Sequence, residues 1–168
     1  MNPFELTIEE VEARRILTIR TAVLRPHFPA SRLAHFPGDD DETTHHFAAL
    51  GPRSGGGQSE EPEVLAIVSY YQSTLKVDGS EEPAVQLRGM AVASSFQRQG
   101  IGGHLLTTTL GRLPILYPTA RWVWCNARQS AISFYQNHGF EVFGDPFTLP
   151  EIGPHRRMRR KIPIAIAS

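Results

Sequence analysis

The chain has 168 residues, enough for one domain with a substantial core, and its 40% hydrophobic and 20% charged residues are typical of a folded globular protein. A formal net charge of zero gives no global attraction to nucleic acid or to an anionic membrane surface. We therefore expect a single domain over residues 1–168 that has neither a nucleic-acid nor a membrane partner.

The number of cysteines and the N-terminal segment indicate the cellular compartment in which the protein is expected. The single cysteine, Cys125, cannot form an intrachain disulfide, and small secreted folds usually depend on disulfides. The first 25 residues are interrupted by glutamates and arginines, which leaves no continuous apolar run for a signal peptide. These observations predict a cytoplasmic protein.

The first predicted element is a helix. The segment Thr7-Ile8-Glu9-Glu10 has the spacing of a capping box, and Pro26 ends a pattern of apolar residues at mainly helical intervals: Val11, Ile16, Ile19 and Val23. Arg20 and the other arginines of this segment are assigned to its polar positions. Residues 28–44 have no clear period and contain the acidic run Asp39–Glu42, which predicts a surface loop.

Three strands and a helix are predicted next. The strands cover residues 46–50, 64–74 and 84–92, with a loose hairpin tip at 51–62 and a turn at 77–80. A glycine-rich turn then leads into a helix marked by Ile101, Leu105, Leu106 and Leu110, which we expect to end near Pro114.

The C-terminal third predicts a strand, a helix and two further strands. The strand covers residues 121–125, and the helix starts near Ala127 and ends at Gly139. The last strands cover residues 140–143 and 156–164, joined by a loop at 150–154. The run Arg156-Arg157-Met158-Arg159-Arg160-Lys161 resembles a nucleic-acid patch, but strand alternation divides its charges between two faces, so we interpret it as a solvated edge strand. This order of elements predicts a mixed α/β sheet with helices packed on it.

The most informative local feature is a strand that runs directly into a glycine-rich turn and then a helix. Unsatisfied amides at a helix start and the helix dipole favour an anion there, and glycines permit its close approach. A P-loop would need Lys-Ser or Lys-Thr after the glycines, whereas Gly103 is followed by His104 and Leu105. The dinucleotide fingerprint fails as well, because Leu105 stands where its third glycine should be.

The remaining pattern, Gln97-x-x-Gly100-x-Gly102, resembles the coenzyme A pyrophosphate loop of the GNAT acetyltransferase family. Three further segments match in order: Leu87–Val92 is similar to the family's fourth strand, Val123–Ala127 to its fifth strand, and Ala131–Phe140 to its A-x-x-F-Y-x-x-x-G-F element. The resemblance spans about residues 85 to 143. It implies the GNAT acyl-CoA N-acyltransferase fold, an α/β fold with a mixed, mostly antiparallel central sheet splayed between strands 4 and 5 and flanked by helices.

The resemblance also implies acetyl-CoA as acyl donor and a set of residues that hold it. The backbone of the fourth strand would pair with the pantetheine amides, the glycine loop would hold the pyrophosphate, and Asn126 would contact the cofactor arm. Tyr135 would lie at the cofactor and protonate the departing thiolate, since a phenol stays protonated at neutral pH. The implied cofactor-binding residues are Met90, Ala91, Val92, Gln97, Arg98, Gln99, Gly100, Ile101, Gly102, Gly103, Asn126 and Tyr135.

The general base is left open by the sequence. Several GNAT members use a glutamate on the fourth strand, but the corresponding side chains here are Gln86, Arg88 and Met90. The alternatives are His155 and Glu151, both on the predicted loop before the last strand, and His46 at the start of a strand.

The sequence predicts neither a metal site nor a cysteine nucleophile. The acidic run with His45 and His46 matches no metal-ligand spacing, so we expect no metal and interpret these residues as a solvated loop. Cys125 has no local histidine signature and is predicted to lie in a buried strand, which disfavours a nucleophile.

The expected function is transfer of an acetyl group from acetyl-CoA to a primary amine by direct attack. The alternative is a non-catalytic GNAT-like module that binds acyl-CoA as a sensor or an interaction surface, which the missing strand glutamate favours. The acceptor, a small molecule or a peptide amine, is not specified, although the acidic run Asp39–Glu42 favours a cationic amine. Dimers are common in the family, so a homodimer is compatible with the resemblance.

Overall fold

The computed structural model describes residues 6–52 and 61–164, so the predicted hairpin tip lies largely outside the described residues. The strands are β1 (Thr7–Val11), β2 (His45–Gly51), β3 (Glu63–Val77), β4 (Ser80–Val92), β5 (Trp122–Arg128), β6 (Glu141–Leu149) and β7 (Gly153–Lys161). The helices are α1 (Leu17–Leu24), α2 (Ile101–Leu110), α3 (Leu113–Leu116) and α4 (Ile132–Gln136).

The strands form one mixed sheet in the order β1-β2-β3-β4-β5-β7-β6. β4 and β5 are parallel, while β1 with β2, β5 with β7 and β6 with β7 are antiparallel. The β4–β5 register runs only from Ala84↔Trp122 to Gln86↔Trp124, although both strands continue beyond it. This pattern confirms the predicted sheet, splayed between its fourth and fifth strands.

The chain divides into two compact units. The first comprises Met1–Ser69 and Gly89–Thr108, and the second comprises Tyr70–Arg88 and Thr109–Ser168. A core cluster of the first unit consists of Ile16, Ala48, Leu50, Ile67 and Ala91, and one of the second consists of Leu75, Ala84 and Trp122.

The predicted capping box is wrong, because Thr7–Val11 forms β1. Its register with β2 runs from Thr7↔Leu50 to Val11↔His46. Helical structure begins only with a 3-10 turn at Ala13–Arg15 and α1 at Leu17, and neither start has a side-chain cap. Pairing with β2 gives β1 ladder hydrogen bonds at alternate residues and adds it to the edge of the sheet, whereas a capping box would satisfy only two amides. Tertiary pairing therefore overrides the local helix signal.

Arg20 is fully buried, which corrects its assignment to a polar helix position. Its guanidinium forms a fork with the Asp39 carboxylate, at 2.7 Å from Nη1 to Oδ2 and 3.1 Å from Nη2 to Oδ1. Nη1 also donates to the Ala34 carbonyl at 3.0 Å, and the Phe36 ring centre lies 4.0 Å from the guanidinium carbon. The segment from residue 28 to 44 is irregular, as predicted, but Asp39 and Ala34 within it are buried rather than solvated.

A chain of hydrogen bonds extends from Arg20 to His46. Arg20 Nη2 donates to Ser69 Oγ at 3.2 Å, and Ser69 lies 2.6 Å from His46 Nδ1. His46 Nε2 donates to the Asp39 carbonyl oxygen at 2.8 Å, so in the neutral ring the Ser69 hydroxyl donates to Nδ1. The network joins α1, the loop, β2 and β3 through groups that are all buried.

Gly89 brings β4 against this network. It has a φ of +66°, which favours glycine, and a Cβ at this position would lie 3.1 Å from Arg20 Nε and 3.5 Å from a carbon of the Phe36 ring. The Arg20 side chain cannot easily move aside, since its guanidinium is held by Asp39. The backbone of β4 at Gly89 therefore passes close to the buried Arg20 side chain, and the absence of a side chain at position 89 permits this approach.

The second unit differs from the prediction at β7. This strand is paired on both sides, with β5 and with β6, so it is not an edge strand. It begins at Gly153, which shortens the predicted loop to residues 150–152 and places His155 in the strand. The predicted alternation is confirmed, because Met158 is fully buried while Arg157 is exposed.

The helices of the second half are shorter than predicted. α2 ends at Leu110, and Pro114 lies in the first turn of α3, where a missing amide is tolerated. β5 continues through Ala127 to Arg128, so α4 begins only at Ile132 after a 3-10 turn. Gly139, with a φ of +83°, closes α4 as predicted. None of the described helices is long and apolar enough to span a bilayer.

The buried ion pair generates a stability prediction. Asp39→Asn leaves the Arg20 guanidinium without its counter-charge, and we expect the free energy of unfolding to fall by about 3–5 kcal/mol in urea denaturation. Glu12→Gln is the control, because it removes the partner of Arg14 in an ion pair whose side chains are 76% and 71% exposed and should cost less than about 1 kcal/mol. Equal losses in the two variants would contradict a structural role for the buried pair.

Candidate cofactor and catalytic site

The glycine loop follows β4 within the first unit. The Ala93 amide donates to the Leu65 carbonyl at 2.8 Å, which fixes the end of β4 to β3. A 3-10 turn at Ser94–Phe96 then leads to the loop at residues 97–100, and α2 starts at Ile101. The predicted sequence of strand, turn and helix is therefore present.

The loop is exposed and has an unusual backbone. Arg98 and Gly100 have φ angles of +63° and +81°, a region that is rare for residues other than glycine. The Gln97 side-chain amide donates to the Val92 carbonyl at 3.0 Å, and Gln99 donates to the Ser95 carbonyl at 3.4 Å. Gln97 and Gln99 thus hold the loop against the end of β4.

The start of α2 provides amide donors beside this loop. The His104 amide donates to the Gly100 carbonyl at 3.1 Å, while the preceding amides of a helix have no intrahelical acceptor. These amides belong to Ile101, Gly102 and Gly103. Together with the positive end of the helix dipole, they suit a phosphate or pyrophosphate group.

The end of β4 has a buried side and a partly exposed side. Ala91 belongs to the hydrophobic core of the first unit, while Met90 and Val92 are half-buried. Gly89, immediately before them, breaks the regular strand conformation with its positive φ. Met90–Val92 continue β4 after this irregularity and form its last three residues.

Tyr135 and Asn126 both lie in the second unit. Tyr135 is buried in α4, and its ring makes edge contacts with Phe134 and Phe140, with centres 5.2 and 5.3 Å away. Burial, reinforced by the nearby Cys125 and Tyr70, raises the pKa of the Tyr135 phenol well above its ordinary value. Asn126 is exposed on β5 and stands opposite Arg157 of β7.

His155 and Glu151 lie in the same unit. His155 is buried, its ring stacks on Phe147 with centres 5.6 Å apart, and its Nδ1 donates to the Gly153 carbonyl at 2.8 Å. In the neutral ring this bond leaves Nε2 as a proton acceptor. His155 also lines a cavity of about 180 Å³ together with Gln129, Ile132, Pro146, Pro154 and Arg156. Glu151 is exposed in the β6–β7 turn.

His46 differs from His155 because protein groups engage both of its ring nitrogens. The network that engages the two His46 nitrogens was not predicted, because Arg20 was assigned to a polar helix position and Asp39 to a solvent-exposed loop. One signal could have revealed it: Arg20 follows the buried Ile16 by four residues, so both lie on the core-facing stripe of one helix.

Cys125 and the acidic run are the other potentially reactive groups. Burial raises the pKa of the Cys125 thiol to about 12, which keeps it protonated and unreactive. Within residues 6–52 and 61–164, no three His, Cys, Asp and Glu residues are grouped as a metal site would require.

Comparison with known proteins finds similarity to one family. The model of the acetyltransferase (GNAT) domain matches residues 62–142, a segment that contains β3, β4, the glycine loop and α4. The uncharacterized N-acetyltransferase YitI of Bacillus subtilis (strain 168) is 27% identical over 150 residues, which are 89% of this chain and 92% of the relative.

Solved structures share the fold. ElaA of Escherichia coli superimposes with a TM-score of 0.65 at 20% identity, over 92% of this chain and 99% of that one. NAA60 of Arabidopsis thaliana, solved in complex with acetyl-CoA, gives a TM-score of 0.68 at 14% identity, over 94% of this chain and 98% of that one. At these identities the structures support the fold alone. The fold is that of GNAT acyltransferases, and the chain is similar in sequence to acetyltransferases of this family.

Proposed function

We propose that the chain transfers an acetyl group from acetyl-CoA to a primary amine by direct attack. The observation that carries this proposal is the loop at residues 97–103, where an exposed, positive-φ turn precedes the free amides of α2. A related fold, that of NAA60, was solved with acetyl-CoA. The residues of the loop fit the donor's pyrophosphate, and the donor supplies an activated thioester.

His155 is our candidate for the general base. The ammonium group of an acceptor must lose a proton before its nitrogen can bond to the acetyl carbon, and Nε2 of His155 is the ring nitrogen that the Gly153 bond leaves as an acceptor. Glu151 is the second candidate. We assign no such role to His46, because Ser69 and the Asp39 carbonyl occupy its two nitrogens.

Tyr135 is our candidate for the general acid. As the bond between carbon and sulfur breaks, the departing thiolate needs a proton, and the buried phenol retains its proton because of its raised pKa. Asn126 would contact the cofactor arm from the exposed side of β5. The ammonium nitrogen loses two protons on becoming an amide: the base takes the first before attack, and the second, released as the intermediate collapses, replaces the proton that Tyr135 gives to sulfur.

The acidic run contributes less to acceptor choice than its sequence indicates. Asp39 is neutralised by Arg20, which leaves Asp40 and Asp41 as its exposed aspartates. The alternative function, a non-catalytic acyl-CoA sensor, is favoured by the absence of a carboxylate at Gln86, Arg88 and Met90 of β4. Turnover on an amine panel distinguishes the two functions.

The loop assignment predicts a binding defect in Gly100→Ala. Alanine is strained at a φ of +81°, although a Cβ there meets no atom within 4 Å, so the loop should shift and acetyl-CoA should bind about tenfold more weakly in calorimetry. Gly79→Ala is the matched control, since Gly79 has a φ of +83° and an equally open Cβ position in the β3–β4 turn. Equal weakening in both variants would refute the loop assignment, and no binding by the unmodified protein would refute the function.

The acid assignment predicts a pH-independent defect in Tyr135→Phe. We expect kcat to fall by about 10²–10⁴ with unchanged acetyl-CoA binding. Because the phenol titrates well above its ordinary value of about 10, the ratio of wild-type to variant kcat should stay flat from about pH 6 to pH 10.

The control for this variant is Tyr117→Phe. It removes another buried hydroxyl, one that donates to the Tyr70 carbonyl at 2.9 Å, and should lower stability without lowering kcat. A kcat ratio for Tyr135→Phe that declines toward one as the pH rises would mean that the phenol loses its proton within the range and would contradict the raised pKa.

Direct transfer predicts that Cys125 forms no acyl-enzyme. With its pKa raised to about 12 by burial, the thiol should resist iodoacetamide at about pH 8 until the protein is unfolded. Mass spectrometry after incubation with acetyl-CoA should detect no acetyl group on Cys125, and Cys125→Ser should retain turnover. Rapid alkylation of the folded protein with loss of turnover would overturn direct attack.

A further inference from the structure

β7 presents three cations on one face of the sheet. Arg157, Arg159 and Lys161 alternate with side chains that project to the other face, where Arg156 and Arg160 donate to the carbonyls of Gly144 and His138 and Met158 is fully buried. We call the surface formed by Arg157, Arg159 and Lys161, with the rings of Trp122 and Phe143 beneath them, the cationic face. All of it lies within the second unit.

Aromatic rings support the cations from below. The Arg159 guanidinium carbon lies 4.9 Å from the ring centres of both Trp122 and Phe143. Lys161 Nζ lies 5.6 Å from Trp122, and the Arg157 guanidinium carbon lies 5.8 Å from Phe143. The charged groups themselves therefore lie over the ring faces, with Arg157 and Lys161 exposed and Arg159 partly buried. The rings are covered by their own cations and do not offer bare stacking platforms for bases.

The cationic face is weakly neutralised. Arg159 pairs with Glu141 at 3.0 Å, and the Glu141 side chain is 63% exposed, so the pair contributes little and can exchange. The Glu82 carboxylate accepts the Trp122 indole proton at 3.0 Å. Among the residues that the structure describes, no carboxylate forms an ion pair with Arg157 or Lys161. A chain with no net charge thus concentrates positive charge on one strand face.

The spacing of the cations indicates the form of the partner. Alternate residues of a strand are about 7 Å apart, so the three cations form a row about 14 Å long. A small anion can engage only one or two of them, whereas an extended peptide repeats its own side chains at the same interval. We propose that the cationic face binds an extended acidic peptide segment with carboxylates at alternate positions. This binding is additional to the transfer chemistry proposed above and does not require it.

Fluorescence anisotropy tests the proposal with a labelled octapeptide in which glutamate and serine alternate. We expect binding that weakens with salt and is lost when glutamine replaces glutamate. Arg157→Glu, at an exposed position, should weaken binding by about five- to tenfold, because one attraction becomes a repulsion. Lys76→Glu is the matched control, because Lys76 is an exposed cation of the same unit. It lies on the face of β3 opposite Ser73 and Leu75, which contact the tryptophans of β5 on the side of the cationic face. This variant should change the affinity less than twofold, or about 0.4 kcal/mol. Unchanged thermal unfolding confirms that both variants fold.

Four results would overturn the proposal. The first is equal binding of the glutamate and glutamine peptides. The second is equal weakening by Arg157→Glu and Lys76→Glu, which would indicate unspecific attraction. The third is tighter binding of a single-stranded oligonucleotide than of the peptide with the same dependence on Arg157, which would assign the face to nucleic acid. An octapeptide with its glutamates in one block should bind more weakly than the alternating peptide, and equal binding would refute the spacing argument.

Discussion

The buried ion pair between Arg20 and Asp39 is the constraint on which the first unit depends. Removing a guanidinium from water is costly, and the cost is offset only where its donors find fixed acceptors. Here the acceptors come from an otherwise irregular loop and from Ser69 on β3. A segment with no regular structure of its own is thereby held in one conformation, and α1 is fixed against β3. The sequence predicts this loop to be solvent-exposed, but in the structure the charged Arg20 guanidinium holds it through Ala34 and Asp39.

Most of the sheet was predictable because strand periodicity and turn residues agree along the chain and the family motifs support them over about residues 85 to 143. The predictions of secondary structure and strand position were wrong where strand pairing in the folded sheet outweighs a local sequence signal. Thr7–Val11 has a good helix cap but finds a strand partner in β2. β7 is rich in arginine, as edge strands often are, yet β6 folds back to cover it. Which strands become neighbours depends on chain topology, and a list of local patterns does not contain that information.

The site was predictable to a different degree for each residue type. The left-handed backbone at Gly100 is the part of the glycine loop that residue type makes predictable, because glycine adopts this conformation without strain. The histidines were equivalent in sequence and became distinct only through their partners: His46 has both nitrogens engaged, whereas His155 has one engaged and borders a cavity. Hydrogen-bond partners far away in the sequence therefore separate a structural histidine from a candidate base.

The close approach of Gly89 to Arg20 has a consequence for how such chains can diverge. A Cβ at position 89 would lie 3.1 Å from Arg20 Nε, so a side chain there requires the arginine to shift, and shortening residue 20 to make room would leave Asp39 without its counter-charge. Replacing any one of Gly89, Arg20 and Asp39 should therefore lower stability, even where replacing all three together would be tolerated. The effects of these substitutions on stability are thus strongly non-additive. We therefore expect Gly89, Arg20 and Asp39 to change together in evolution: homologues should either retain all three residues or have replaced all three.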